Sequence, residues 1–200
     1  MTVIKTCLGR YFDLAKPRRQ EYPIEEIAWH LAHIARFTGA AEVPVSVAYH
    51  SVRVSNIVPP QYALAALLHD AEEAYYGDIS SPAKKLVGAK YLRLAEEARL
   101  CALEQNGVPQ ELWELAAKSV HEADARQLRI EVMFFTHQEK YQHPMGFPFE
   151  AEYWTKAYWG KKRDARRRHP GLYGQGAAEY FMARYYELIG SSPTREDMED

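Results

Sequence analysis

The chain has 200 residues, 47% of them hydrophobic, which allows one sizeable core or at most two small domains. Its 25 basic and 27 acidic residues leave a formal charge of −2, which argues against a polyanion binder of the kind that coats nucleic acid. Two cysteines, Cys7 and Cys101, show no pairing pattern; they suit a reducing cytosol and argue against a disulfide scaffold or a cysteine-based zinc finger. No run approaches the roughly 18–20 apolar residues of a membrane span and the start lacks a signal-length apolar stretch, so a soluble, cytoplasmic protein is expected.

Residues 1–22 carry Gly9, Pro17 and a basic cluster at 16–19, and read as an extended or hairpin-like lead-in. Pro23 stands where a helix can begin, because its missing N–H is not needed in a first turn. Ile24, Ile27, Leu31 and Ile34 then recur at helical spacing, with Gly39 as the expected stop. A second helix is predicted over 46–58, stopped by Pro59-Pro60, and a third over 61–76, stopped by Gly77. A loop with Asp78, Ser80, Ser81 and Pro82 follows. Long helices are predicted over 91–106, ended by Gly107 and Pro109, and over 110–136. Residues 141–149 hold two prolines and a glycine and read as a loop. A final helix is predicted near 177–188. The polar, acidic stretch 191–200 is expected to be a disordered tail. With no repeat and no strong strand alternation, the expected fold is all-α, with a short N-terminal β-hairpin at most. It forms one domain over 1–190 followed by the tail 191–200.

The chemistry is concentrated after an apolar run. Residues 62–68 read YALAALL and lead straight into His69-Asp70, with Glu72, Glu73 and Asp78 close behind. A buried helix avoids such groups unless something compensates them, and a cation is the obvious compensator. Adjacent helical residues point about 100° apart, so His69 and Asp70 reach one ion lying beside the helix. Further ligands must come from other helices. His50 is a candidate, embedded among apolar positions in VAYHSV. Asp124 is another, with small or apolar neighbours around it. Glu122 is a rival that would face the other way.

The ordered set His50-Ser51, His69-Asp70 and Ala123-Asp124 resembles the HD-domain superfamily of metal-dependent phosphohydrolases. The stretch HDAEEAYYGDISSPAKK is similar to that of the YfbR-like 5′-deoxynucleotidases and the related DatZ-like deoxynucleotide triphosphohydrolases. Upstream, Arg36-Phe37 resembles the Arg-Trp pair of that group. The likeness covers roughly residues 24–135 and implies an HD-type helical bundle. It also implies a metal held by His50, His69, Asp70 and Asp124. Two imidazoles and two carboxylates suit Mn²⁺, Co²⁺, Fe²⁺, Ni²⁺ or Zn²⁺ and leave Mg²⁺ a role as a second ion. Such an ion lowers the pKa of bound water towards about 7 and draws charge off a phosphoryl oxygen. Glu73, one turn beyond His69-Asp70, is the expected general base or water-orienting group. Asp78 would be an acid or a supporting partner. Arg36 and Lys84 would neutralise phosphate, and Phe37 would join either the core or the sugar and base.

The implied function is hydrolysis of a small-molecule deoxynucleotide, a monophosphate or a triphosphate, with a purine such as dAMP or dATP as one candidate. A homo-oligomer without nucleic-acid or membrane partners is expected. A non-catalytic nucleotide sensor on the same scaffold is the alternative. A cyclic-dinucleotide phosphodiesterase of the HD-GYP kind would need a Gly-Tyr-Pro where Gly77-Asp78 stands. Several charged residues read as ordinary: Glu72 and Lys85 as solvated, His30 and His33 as surface or capping groups, and the basic run 161–168 as a solvated face or subunit contact. The aromatic stripe of Tyr180, Phe181, Tyr185 and Tyr186 reads as core or oligomer interface.

Overall fold

The computed structural model describes residues 2–136 and 170–190. The loop predicted over 141–149, the basic run 161–168 and the tail 191–200 lie outside the described residues. The expected fold class holds: the described chain is helical, with one small antiparallel hairpin at its start. Strand β1 (Val3–Lys5) pairs with β2 (Tyr11–Asp13), Ile4 opposite Phe12. Gly9 turns the corner at φ +75, a conformation open to glycine at no steric cost. Phe12 anchors the hairpin: it is buried, stacks on Tyr75 at 4.0 Å and meets the edge of Tyr22 at 5.4 Å.

Helix α1 (Ile24–His33) starts just after Pro23 and turns Ile24, Ile27, Ala28, Leu31 and Ala32 into the core. It ends six residues short of the predicted stop at Gly39. Ile34 is extended and its carbonyl accepts the Val47 N–H, while the Arg36 N–H donates to the Val45 carbonyl. This short backbone bridge to residues 45–47 pulls the chain out of the helix. Phe37 and Thr38 then adopt left-handed angles, φ 59 and φ 54. That conformation costs non-glycine residues on the order of 1–3 kcal/mol each; the tight turn leaves Arg36 buried.

Helix α2 (Val47–Ser55) is capped by Ser46, whose hydroxyl oxygen accepts the Tyr49 N–H at 3.1 Å. It is buried along nearly its whole length, and packs against α1. The predicted third helix is broken. It resolves into α3 (Ala63–Leu67), a turn over 68–72, and α4 (Glu73–Tyr76). In the turn the bonds shorten to three residues: Ala71 N–H to the Leu68 carbonyl and Glu73 N–H to the Asp70 carbonyl, both 3.0 Å. The His69 side chain takes part in the break. Its Nδ1 lies 2.8 Å from the Ala66 carbonyl, the group an unbroken helix would offer to the N–H of residue 70.

The remaining helices are α5 (Ser81–Lys84), α6 (Ala89–Gln105), α7 (Gln110–Phe135) and α8 (Gln175–Ile189). Helix α8 packs on α1, α2 and α3, and α7 on α2 and α3. Of the aromatic stripe of α8, Phe181 is fully buried there, and Tyr180 and Tyr185 are partly buried against the core. Among the described residues, no helix is long and apolar enough to cross a membrane.

Candidate metal centre

Three elements converge on one point. Helix α2 supplies His50, the turn after α3 supplies His69 and Asp70, and α7 supplies Asp124. One ligand atom each of His50, His69 and Asp124 lies within 4.8 Å of the others. The Nε2 of His50 is 3.0 Å from Asp124 Oδ1 and 4.0 Å from Asp70 Oδ2. The Nε2 of His69 is 3.2 Å from Asp70 Oδ2. His50, His69 and Asp124 therefore form one group, and Asp70 borders it through both histidines. Ligands bonded to one ion at about 2.1 Å stand about 3.0 Å apart at right angles and about 4.2 Å apart when opposite, and the observed separations fall in that range.

The donor chemistry fits the same reading. His50 is fully buried, and its Nδ1 is 3.0 and 3.1 Å from the two Glu131 oxygens. The Nδ1 of His69 is engaged by the Ala66 carbonyl. A neutral imidazole that donates through Nδ1 presents a lone pair at Nε2. Both Nε2 atoms are buried without an aligned hydrogen bond, although carboxylate oxygens lie 3.0 and 3.2 Å away. Lone pairs crowded together in this way call for a proton or a cation between them. At His69 burial opposes the charged form, but Asp70 and then Asp124 outweigh it and hold its pKa up to about 9. Burial likewise resists ionisation of Asp70, yet His69, His50 and Arg36 keep it below the usual carboxylate range. A site that pulls so strongly on a proton has the electrostatics to hold a cation.

Around this centre lies a second, all-oxygen group. One oxygen each of Asp70, Glu72 and Glu73 comes within 4.8 Å of the others. Glu73 opens α4, is buried, and has Oε1 3.5 Å from Lys84 Nζ. Burial, then Asp70 and Glu72, push its pKa well above the ordinary value. Glu72 is not the solvated residue expected. It is half-buried, its Oε2 is sealed from water, and burial followed by Asp70 raises its pKa to about 8. The helix break causes this, because the tightened turn brings neighbouring residues 72 and 73 to the same side. Asp78 is half-buried, and burial raises its pKa despite the opposing pull of Arg36.

Arg36 and Phe37 lie beside the centre. The Nε of Arg36 pairs with Glu131 Oε2 at 3.0 Å, and its NH1 is 4.0 Å from Asp70 Oδ2. The guanidinium carbon stands 5.6 Å from the Phe37 ring centre. Glu131 and Gln127 were not foreseen. Glu131 has zero exposure and also accepts from Gln127 Nε2 at 2.9 Å. The usable signal was their spacing: Asp124, Gln127 and Glu131 stand at i, i+3 and i+7 of one helix, a single face. Among the other described histidines, His30 and His33 behave as expected. His30 has Nδ1 2.7 Å from the Ala74 carbonyl and Nε2 accepting the Cys7 N–H at 3.1 Å. His33 and His121 are exposed.

Fold and site together define a helical protein in which two buried histidines face two half-buried carboxylates. No family model matches the chain. Over 132 residues it is 33% identical to RCAP_rcc00048 of Rhodobacter capsulatus, a match covering 62% of this chain and 67% of that one. Over 109 residues it is 39% identical to YfdR of Escherichia coli strain K12, covering 54% of this chain and 61% of YfdR. Both relatives carry the description "uncharacterized protein". The chain belongs to the family of RCAP_rcc00048, and its match to YfdR spans about three-fifths of that protein's length.

Proposed function

We propose that this protein is a metal-dependent phosphohydrolase of the HD-domain kind that acts on deoxynucleotides. One observation carries the reading: His50, His69, Asp70 and Asp124, on three separate elements, meet with two buried imidazole nitrogens turned towards carboxylates. Two nitrogens and two oxygens favour a divalent transition ion, Mn²⁺, Co²⁺, Fe²⁺, Ni²⁺ or Zn²⁺. The oxygen group of Asp70, Glu72 and Glu73 suits Mg²⁺ as a second ion. Held by His50, His69, Asp70 and Asp124, such a transition ion would acidify bound water towards neutrality and draw charge off a phosphoryl oxygen.

The chain's own residues supply the rest. Glu73 takes the proton of the attacking water as its oxygen bonds to phosphorus; burial and the neighbouring carboxylates raise its pKa above the ordinary value, which makes it a stronger base than an exposed glutamate. Asp78, also raised, returns a proton to the leaving oxygen as the old bond breaks. Lys84 and the outer edge of the Arg36 guanidinium meet the phosphate charge. Phe37 packs against the sugar or base. The products are a nucleoside with orthophosphate, or a nucleoside with tripolyphosphate. The proposal includes a cytoplasmic homo-oligomer; the two free thiols suit that compartment.

The test is a metal-substituted substrate screen. Protein stripped of metal is reloaded with Mn²⁺, Co²⁺ or Mg²⁺ and offered dNMPs, dNTPs and ribonucleotides. Orthophosphate from dNMPs or tripolyphosphate from dNTPs is expected, and no turnover of any substrate overturns the enzyme reading.

A further inference from the structure

The centre's fully buried carboxylate is not one of the candidate ligands. Glu131 has zero exposure, and its side-chain partners include His50 and Arg36 of the site. Its Oε1 is 3.0 Å from His50 Nδ1 and 2.9 Å from Gln127 Nε2; its Oε2 is 3.1 Å from the same Nδ1 and 3.0 Å from Arg36 Nε. Arg36 returns to the ligand set through Asp70, 4.0 Å away, and Asp70 stands 4.0 Å from His50 Nε2. The contacts close into a ring: Arg36, Glu131, His50, Asp70. Helix α7 holds both ends of the His50 imidazole. Asp124 faces Nε2 and Glu131, two turns on, faces Nδ1.

We propose that Glu131 is the positioning residue of the metal centre. It fixes the His50 proton on Nδ1, which leaves the Nε2 lone pair for the cation, and it locks the ring's plane. Arg36 is thereby first a counter-ion to Glu131, and this accounts for the strained Phe37–Thr38 turn that delivers it. A buried carboxylate with no function would be an odd choice here, because an apolar side chain of like shape avoids the desolvation cost. Carboxylate partners of this sort raise the basicity of a ligating imidazole. The inference rests on the metal reading given above.

The experiment titrates the full-length apo-protein with Co²⁺, read by calorimetry and by visible absorption, for the wild type and Glu131→Gln. Glutamine keeps an acceptor for Nδ1–H but loses the charge. The expected result is binding weakened about 10- to 100-fold, with a changed cobalt spectrum. Wild-type binding with an unaltered constant and spectrum in Glu131→Gln overturns the role of Glu131 and leaves the metal reading standing. Absence of Co²⁺ binding by the wild type overturns both. If the variant does not fold, ¹⁵N spectra of histidine-labelled, Zn²⁺-loaded wild type decide the matter. His50 should carry its proton on Nδ1 and show the metal at Nε2, and a proton on Nε2 overturns the proposal.

Discussion

His30 and His50 lie on neighbouring helices and are both held by their ring nitrogens, yet their surroundings assign them opposite work. His30 spends Nδ1 on the Ala74 carbonyl and Nε2 on the Cys7 N–H, so it ties α1 to the first turn of α4 and to the N-terminal hairpin turn. Both partners are backbone groups, and a neutral imidazole satisfies both. His50 spends Nδ1 on a buried carboxylate and turns Nε2 towards two more. A neutral ring has nothing to donate to those oxygens. The difference separates a structural clamp from a ligand: the clamp is complete within the chain, and the ligand is complete only with a cation.

The largest effect should come from removing a ligand. His69→Ala should lower Co²⁺ affinity by more than the roughly 100-fold typical of outer residues and should abolish turnover. If calorimetry finds the affinity intact, His69 belongs with His30 among the clamps. Glu73→Gln should separate chemistry from binding. We expect kcat to fall about 10²- to 10⁴-fold while the metal content, measured by elemental analysis, stays at the wild-type level. Loss of the metal would move Glu73 into the ligand shell.

These two residues also show what the sequence discloses. His69-Asp70 announced itself because charged groups follow seven apolar or aromatic residues without a break, and Gly or Pro marked most helix ends. The positions of α2, α6, α7 and α8 follow from periodicity and those stops. The break between α3 and α4 does not. Residues 61–76 contain no Gly or Pro, and the interruption arises from the tight turn and the His69–Ala66 contact. For the same reason Glu72 read as solvated. Glu131 was illegible for a different reason. It is one glutamate in a long amphipathic helix, and its meaning is set by His50, 81 positions away. The early end of α1 likewise depends on a pairing with residues 45–47 that local pattern does not encode.

The pH dependence of the metal-free protein sharpens the contrast at a smaller scale. His69 rises from 6.5 to about 9 on folding. Its contribution to stability is therefore fully present below pH 6.5 and is lost as pH climbs through 9. Glu72 acts in the same direction, from 4.5 up to about 8. Metal-stripped protein should lose on the order of 5–10 °C in melting temperature between pH 6 and 9. Saturating Co²⁺ should reverse the slope, because binding releases those protons and strengthens with pH. A flat melting profile in chelator would show that the carboxylates do not charge the imidazole.

The smallest effect should belong to His30→Gln. Its two hydrogen bonds reach backbone groups, each worth about 0.5–1.5 kcal/mol, and the exposed Cys7 N–H can turn to water instead. A loss of about 1–2 kcal/mol in urea unfolding is expected, with Co²⁺ affinity unchanged. The Ala74 carbonyl that His30 holds belongs to the residue after Glu73, so any activity change should appear in kcat and stay within a few-fold. A large fall in Co²⁺ affinity would mean that α4 transmits the clamp into the ligand shell, and the division between the two histidines would fail.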